Sequence, residues 1–96
     1  MEIHEIPYAF QSRLRLAVVA ALMTGPKDFT TLVKLTEATS GNLGKQLELL
    51  EIDNFLCCRR EILGRRQRST YWLTETGRET FLAYVRMLEK IAGGGI

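Results

Sequence analysis

Arginine is concentrated in one short part of this sequence. Residues 59–68, RREILGRRQR, contain five arginines and a single glutamate. A guanidinium group donates hydrogen bonds in a planar fork that fits phosphate oxygens, and it stays charged at physiological pH. Like charges crowded this closely repel one another, so the arrangement favours binding to a polyanion over stability of the chain itself. The alternative is a solvated charged turn that only increases solubility.

A second set of polar residues lies along 39–51, TSGNLGKQLELLE. Leu43, Leu47 and Leu50 recur at helical spacing and predict a helix with one buried face. The opposite side and its edges carry small or hydrogen-bonding residues: Ser40, Gly41, Asn42, Gly44, Lys45 and Gln46. Small residues let a backbone approach DNA closely, free N–H groups at a helix start favour phosphate oxygens, and amide or lysine side chains can reach base edges. The alternative is an ordinary surface helix, in which each interior glycine costs about 1 kcal/mol.

Other reactive side chains are few. The one histidine, His4, lies in a predicted tail, and no phosphate-binding glycine loop or catalytic triad is visible, so we expect no enzymatic activity. The adjacent Cys57 and Cys58 would point to opposite faces of a strand, and the chain has no further cysteine and no second histidine to complete a tetrahedral site, so we expect no metal site and no cofactor. A cysteine-based redox or metal sensor stays open as an alternative, because the neighbouring arginines would favour a reactive thiolate.

The elements that would position these residues begin with a helix predicted over 10–24. Apolar residues recur along it at helical spacing, in two stripes on opposite sides. A helix that is apolar all round is buried on both sides. In a chain of 96 residues the second stripe is expected to contact another copy of the chain. That stripe consists of Leu16, Val19, Ala20 and Met23.

Two more helices are predicted to follow. A second, shorter helix begins at Asp28 or Thr30, since both are suitable N-cap residues. The third is the glycine-containing helix over about 39–53, which begins at Thr39 or Ser40.

The pattern then changes from helix to strand. Residues 55–63 have no helical stripe, and 69–74 are rich in β-branched and aromatic residues. The joining segment GRRQR contains Gly64 as a turn residue, so the two runs predict an antiparallel hairpin with a basic tip over 64–69. A fourth helix, over 74–92, has a broad apolar face and ends before a run of glycines.

Two helices joined by a short turn and followed by a basic hairpin form a winged helix-turn-helix arrangement. The predicted fold class is α+β and mostly α, with three helices, a β-hairpin wing and a C-terminal helix. A length of 96 residues, 46% hydrophobic and 25% charged, predicts one globular domain over 1–96. The longest apolar run, 16–23, is too short to span a bilayer, so we expect a cytoplasmic protein without membrane contact.

Three segments carry a resemblance to known proteins: RLRLAVVAAL, FTTLVKLTEATSGNLGKQLELLE and GRRQRSTYWLTETGRETFLAYVRML. Over about 13–88 the chain resembles a family of small prokaryotic winged-helix transcriptional regulators related to the MarR and ArsR groups. The resemblance implies a DNA-binding homodimer built through the first and last helices. It therefore adds four residues of the last helix to the expected interface: Tyr84, Met87, Leu88 and Ile91. It also implies that the polar set above lies on a recognition helix, and that the wing residues are Arg65, Arg66 and Arg68.

The expected function is sequence-specific binding of double-stranded DNA by a homodimeric transcriptional regulator. Helix 39–53 would enter the major groove, and the wing over 64–69 would contact phosphates or the minor groove. One alternative is a winged-helix protein-interaction module without specific DNA readout, since a fold does not determine a function. The other is the cysteine-based sensor.

Overall fold

The computed structural model describes residues 1–94, which form four α-helices and a three-stranded antiparallel sheet. In chain order the elements are α1 (Arg13–Leu22), β1 (Lys27–Asp28), α2 (Phe29–Thr36), α3 (Ser40–Ile52), β2 (Leu56–Leu63), β3 (Arg66–Leu73) and α4 (Glu75–Ala92). Two short 3-10 turns, Ile3–Glu5 and Tyr8–Gln11, precede α1. The predicted fold class and winged helix-turn-helix arrangement are confirmed. Within residues 1–94 no helix has the length and apolar character that a membrane span needs.

Helix α3 is anchored in the core by its regularly spaced leucines. Leu43, Leu47 and Leu50 are each at most 1% exposed. Buried side chains from α1, α2 and the sheet surround them: Val18, Val19, Leu22, Leu32, Leu56 and Tyr71. Full burial of one leucine side chain contributes about 1.5–3 kcal/mol, so this inward face outweighs the cost of about 1 kcal/mol for each glycine in the helix.

A group of aromatic rings joins the N-terminal segment to Phe55, which directly precedes β2, and to α4. Phe10 meets Phe55 edge-on at 5.6 Å between ring centroids, and it meets Phe81 in the same way at 6.0 Å. The Tyr84 ring lies 5.2 Å from Phe10. Offset and edge-on contacts of this kind are favourable beyond the area that they bury. The middle of α4 is therefore fixed to the body of the chain.

Helix α1 is shorter than predicted. Ser12 has extended backbone angles, and its side-chain oxygen accepts a hydrogen bond from the Arg15 backbone N–H at 3.2 Å. Ser12 is therefore the N-cap, and the helix begins at Arg13 rather than at residue 10. Phe10, with which the predicted inner stripe of the helix began, belongs instead to a separate 3-10 turn.

The predicted outer stripe of α1 is partly wrong. Val19 has no exposed surface within a single chain, so it belongs to the core and cannot contact a partner. The sequence pattern placed Val18 on the other stripe, but the buried face of α1 includes Val18 and Val19 side by side and therefore lies between the two predicted stripes. Of the remaining stripe residues, Ala20 is exposed, while Leu16 and Met23 are half-buried.

The four predicted interface residues of α4 also differ in exposure. Leu88 is 43% exposed, and Ile91 is half-buried. Met87 is only 7% exposed within the chain, and Tyr84 is half-buried beside Phe10. Of these four residues, Leu88 is therefore the one whose apolar side chain is most exposed.

Helices α2 and α3 begin at side-chain caps. The Asp28 Oδ1 atom accepts a hydrogen bond from the Thr31 backbone N–H at 2.8 Å. The Thr39 Oγ1 atom accepts one from the Asn42 backbone N–H at 3.2 Å. Each bond satisfies a donor that the helix itself leaves unpaired. Of the two caps that the sequence allowed for each helix, the first in chain order is the one used.

The sheet contains a strand that the sequence pattern did not reveal. Strand β1 is two residues long and pairs antiparallel with β3, with Lys27 opposite Tyr71, which gives the strand order β1-β3-β2. Strand β3 begins at Arg66, earlier than predicted, so the hairpin turn is only Gly64 and Arg65. The φ angle of +67° at Gly64 is in the left-handed region, as expected for a turn glycine. Strand β1 was not predicted because a strand of two residues is too short to show an alternation of apolar and polar residues in the sequence.

Gly77 allows the start of α4 to approach the hairpin closely. A Cβ atom at this position would collide with the carbonyl oxygen of Phe55. The same oxygen accepts a hydrogen bond from the Thr74 backbone N–H at 3.1 Å. A side chain at residue 77 would therefore separate α4 from the base of the wing.

Candidate nucleic-acid interface

The first turns of α3 are open to solvent on the side away from the core. Ser40, Gly41, Asn42 and Lys45 are all exposed. A Cβ atom at Gly41 would have no neighbour within 4 Å, so nothing inside the chain requires glycine there. This surface combines hydrogen-bonding groups and one positive charge with a bare helix start. Such a surface can approach a phosphate backbone closely.

Gly44 and Gln46, which were predicted on the same surface, lie at its edges and are half-buried. A Cβ atom at Gly44 would lie 4.0 Å from the Phe29 ring, so α2 borders the surface there. On the other edge, the Gln46 Oε1 atom accepts a hydrogen bond from an Arg15 terminal nitrogen at 2.6 Å. The Gln46 Nε2 atom donates to the Asn42 Oδ1 atom at 3.2 Å. The Gln46 amide is thus engaged within the chain.

Sequence reasoning missed Arg15. It is 7% exposed and is the one charged residue among the buried residues within 1–94. Its Nε atom donates to the Ala9 carbonyl oxygen at 3.2 Å, and a terminal nitrogen donates to the Tyr8 carbonyl oxygen at 3.1 Å. The Tyr8 ring lies 4.6 Å from the guanidinium carbon. The sequence could have indicated Arg15, because an arginine within an apolar helical run is a charge that needs hydrogen-bond partners if it is buried.

The wing tip presents its arginines on a solvated hairpin. All residues of 59–68 are exposed. Arg66 lies opposite Leu63, and Arg68 lies opposite Glu61, so the two arginines project from the same face of the ladder. Arg65 occupies the turn itself. The tip is therefore a small, concentrated positive surface.

The two arginines nearer the base of the wing point to opposite faces. Arg59 shares the face of Arg66 and Arg68, whereas Arg60 lies on the other face. The Arg60 guanidinium lies 3.7 Å from the Glu51 carboxylate of α3, and both side chains are substantially exposed. Of Arg59 and Arg60, only Arg59 therefore lies on the same face as the tip arginines, as the alternation of side chains along a strand predicts.

An open groove of about 520 Å³ separates the wing from the start of α2. Its lining includes Asp28 and Thr30 on one side and Arg66 and Arg68 on the other. Hydrogen bonds from Thr31, through its side chain and its backbone N–H, hold the pKa of the Asp28 carboxyl below its ordinary value. The positive charge of Arg68 acts in the same direction, so the wing and the helical body interact electrostatically across the groove.

The two cysteines lie at the base of the wing on opposite faces of β2. Cys57 pairs with Trp72 and Cys58 with Tyr71, and both thiols are half-buried. Burial raises the pKa of Tyr71, and the adjacent Cys58 raises it further. Within residues 1–94 no group of three or more His, Cys, Asp or Glu side chains comes together as metal ligands would.

The helical pair, the basic hairpin and the exposed start of α3 define a winged helix-turn-helix protein. A family model described as a winged helix DNA-binding domain matches residues 14–92, and the chain belongs to this family. Comparison of the sequence with curated proteins gives no match.

Solved structures of transcriptional regulators share the fold. A transcriptional regulator homologue from Pyrococcus horikoshii OT3 superposes with a TM-score of 0.81 at 20% identity, covering 91% of this chain and 87% of the other. A regulator of the MarR family from Enterococcus faecalis V583 gives a TM-score of 0.77 at 20% identity, covering 90% and 81%. Bacillus subtilis PadR, in complex with operator DNA, gives 0.70 at 18% identity, covering 78% of this chain and 48% of PadR.

Proposed function

We propose that the chain is a homodimeric transcriptional regulator that binds specific double-stranded DNA sequences. Helix α3 enters the major groove, where Asn42 and Lys45 meet base edges and Ser40 and Gly41 lie against the backbone. Arg65, Arg66 and Arg68 of the wing contact phosphates or enter the minor groove. Gly44 and Gln46 support this surface from its edges.

The observation that carries the proposal is that the wing arginines are exposed and, among the described residues, form no salt bridge. Within residues 1–94 the single salt bridge involves Arg60, so the three arginines at the tip form no salt bridge, although Arg68 acts on Asp28 across the groove. Their crowding on one exposed hairpin works against stability, and contacts with phosphate groups would offset that repulsion. A domain that binds only proteins would have no need of this cluster. The membership of the chain in a DNA-binding family and the PadR–operator complex also support the proposal of DNA binding.

The proposed dimer interface draws on α1 and α4, which pack against each other. Leu88 and Ile91 retain apolar surface on α4, and Leu16, Ala20 and Met23 retain it on α1. A chain of this size has a thin core, so covering apolar surface in a dimer would add stability. Two recognition helices about 34 Å apart would then meet successive major grooves of a two-fold symmetric site.

Selection of bound duplexes from random DNA, at two salt concentrations, tests the DNA proposal. We expect an enriched sequence with two-fold symmetry and an affinity that falls steeply as salt rises. Binding that is salt-sensitive but enriches no sequence would remove specific readout from the proposal. An absence of both enrichment and salt-sensitive binding would favour the protein-interaction module.

Sedimentation of a charged α4 variant tests the dimer. Leu88→Glu places a carboxylate in the proposed interface, so we expect a shift from dimer to monomer. The control is Glu79→Lys, which changes the charge of the same helix at an exposed residue outside the proposed interface. A wild-type chain that sediments as a monomer at all concentrations would contradict the dimer proposal and leave DNA binding to be judged separately.

A further inference from the structure

A chain of hydrogen bonds leads from the buried Arg15 to the exposed surface of α3. The Arg15 guanidinium donates to the Gln46 Oε1 atom at 2.6 Å, and the Gln46 Nε2 atom donates to the Asn42 Oδ1 atom at 3.2 Å. Arg15 is itself held by the carbonyl oxygens of Tyr8 and Ala9. The chain therefore begins at a fixed group in the interior and ends on a residue of the proposed DNA surface.

The direction of these hydrogen bonds is set by Arg15. A side-chain amide has an oxygen and a nitrogen of similar size, so either end can face a neighbour that both donates and accepts. A guanidinium group has donors only, so Gln46 must turn its oxygen towards Arg15. The Gln46 nitrogen then faces Asn42, and Asn42 must present its oxygen to it. This leaves the Asn42 Nδ2 group, with its two N–H donors, directed away from Gln46.

We propose that Arg15 is a positioning residue for DNA readout, because it orients the Gln46 and Asn42 amides so that Asn42 offers donors to a base edge. The inference rests on the proposed entry of α3 into the major groove. Guanine presents two acceptors, N7 and O6, and no donor in that groove, whereas cytosine presents a donor. The relay of Arg15, Gln46 and Asn42 therefore favours guanine over cytosine at the base that Asn42 meets.

A buried arginine is a costly way to fill the interior, which supports a role beyond packing. Replacement of a buried ionic group by an apolar one of similar size is often neutral or stabilising. Arg15 is nonetheless only 7% exposed, and every hydrogen bond it makes through its side chain is to a carbonyl or amide oxygen. Such a fixed donor set can hold a side chain in one orientation.

Gln46→Glu should turn the Asn42 amide around while the hydrogen bond from Arg15 to residue 46 remains. The new carboxylate still accepts from Arg15 but has no donor for Asn42. Asn42 must then turn its Nδ2 group towards the carboxylate and expose Oδ1 instead. In selection from random DNA we expect the preference at one position of each half-site to change from guanine towards cytosine, with the ratio of the two affinities changing by about tenfold, the scale of one base contact.

Matched variants separate orientation from charge and from folding. Ser40→Glu adds the same charge to the same helix outside the relay, and should weaken binding to all sequences without changing the preferred base. Arg15→Lys keeps a donor-only group and should keep the guanine preference, even with a lower melting temperature. Arg15→Met removes the donor, so both amides are free to rotate and the preference should broaden. Thermal melting of each variant checks that it is folded.

The outcomes distinguish this inference from the proposed function. If Gln46→Glu and Arg15→Met bind DNA with the wild-type preference, the relay does not orient the readout, and the proposed function stands. If the wild-type chain selects no sequence at all, both the proposed function and the relay are overturned. If Arg15→Lys broadens the preference as much as Arg15→Met does, packing around the guanidinium accounts for the effect instead.

Discussion

Helix α3 and the wing hold their polar side chains in opposite ways. On α3 three buried leucines fix the backbone, and hydrogen bonds fix the amides of Asn42 and Gln46. In the wing, strand pairing fixes the backbone, but every residue of 59–68 is exposed and only Arg60 forms a salt bridge there within the described part of the chain. One surface is preorganised, whereas the other is charged and free to adapt.

This difference suits two kinds of contact with DNA. A base edge is recognised by hydrogen bonds that tolerate little displacement, so a reading side chain gains from fixed neighbours. Attraction to phosphate acts over a longer range and tolerates a mobile side chain, although salt screens it. We therefore expect α3 to determine which sequence is bound and the wing to determine how strongly any sequence is bound.

The largest expected effect is on affinity, from the wing. Replacing Arg65, Arg66 and Arg68 together by alanine should weaken binding to every sequence by on the order of 100-fold at low salt, because three phosphate contacts are lost. Each such contact contributes about 0.9 to the slope of log K against log salt, so the slope should flatten by about 2.7. Titration of labelled duplex at several salt concentrations measures both quantities.

The control for the wing variant removes arginine charge elsewhere. Arg78 and Arg86 are exposed on α4, outside the proposed DNA surface, and their replacement by alanine should leave the slope nearly unchanged. The free energy of unfolding of the wing variant should lie within about 0.5 kcal/mol of the wild-type value, as is usual for surface substitutions. An unchanged salt slope in the wing variant would show that the wing does not contact phosphates.

A smaller effect, with a change of sequence preference, is expected at Lys45. Lys45→Ala removes an exposed ammonium group from α3, so we expect a loss of about tenfold in affinity for the selected site and less for other sequences. The measurement is competition between the selected duplex and unrelated duplexes, with Lys90→Ala on α4 as the control. An equal loss for all sequences would assign Lys45 to a phosphate and would weaken the division between α3 and the wing.

Regular sequence patterns were sufficient to predict most of the fold. The leucine spacing of α3, the turn glycine Gly64 and the N-cap signals, which left Asp28 or Thr30 and Thr39 or Ser40 open, all act over a few residues, so their effect can be recognised locally. The short strand β1 could not be predicted in this way, because it exists only through pairing with β3, more than forty positions away in the chain. Val19 was misplaced for a similar reason, since the packing of α1 between α2, α3 and α4 decides which side is buried.

The chemistry of the candidate interface was predictable by residue type and less so by orientation. The three wing arginines were correctly placed on an exposed hairpin, because solvated charges need no tertiary partner, and their contact with DNA stays a prediction. Gln46 was correctly placed near the surface of α3, but its hydrogen bond to Arg15 joins residues 31 positions apart. No local spacing rule reveals such a contact, although a charged residue within an apolar helix indicates that some partner must exist.

A change in stability is expected at the open glycine of α3. Gly41→Ala should stabilise the fold by about 0.5–1 kcal/mol, because alanine is the better helix former and its Cβ meets no neighbour within 4 Å. Affinity for DNA should fall by several-fold if the bare backbone approaches a phosphate. The contrasting variant is Gly77→Ala, which should destabilise the fold because its Cβ would collide with the Phe55 carbonyl. A Gly41→Ala chain that is more stable and binds equally well would remove close approach as the reason for this glycine.

The smallest expected effect links the wing to the helical body through Asp28. Because hydrogen bonds from Thr31 and the nearby charge of Arg68 lower the pKa of Asp28 in the folded chain, its carboxylate stabilises the fold fully above the ordinary value of 3.8. That contribution is lost as pH falls through the lowered folded pKa. Asp28→Asn keeps a capping oxygen but cannot ionise, so the gap between its melting temperature and that of the wild-type chain should narrow as pH falls below 3.8.

Melting in high salt separates the two causes of the lowered Asp28 pKa, since salt screens the attraction of Arg68 and leaves the hydrogen bonds of Thr31. A gap that widened towards low pH would contradict the lowered pKa, and with it the electrostatic contact between α2 and the wing.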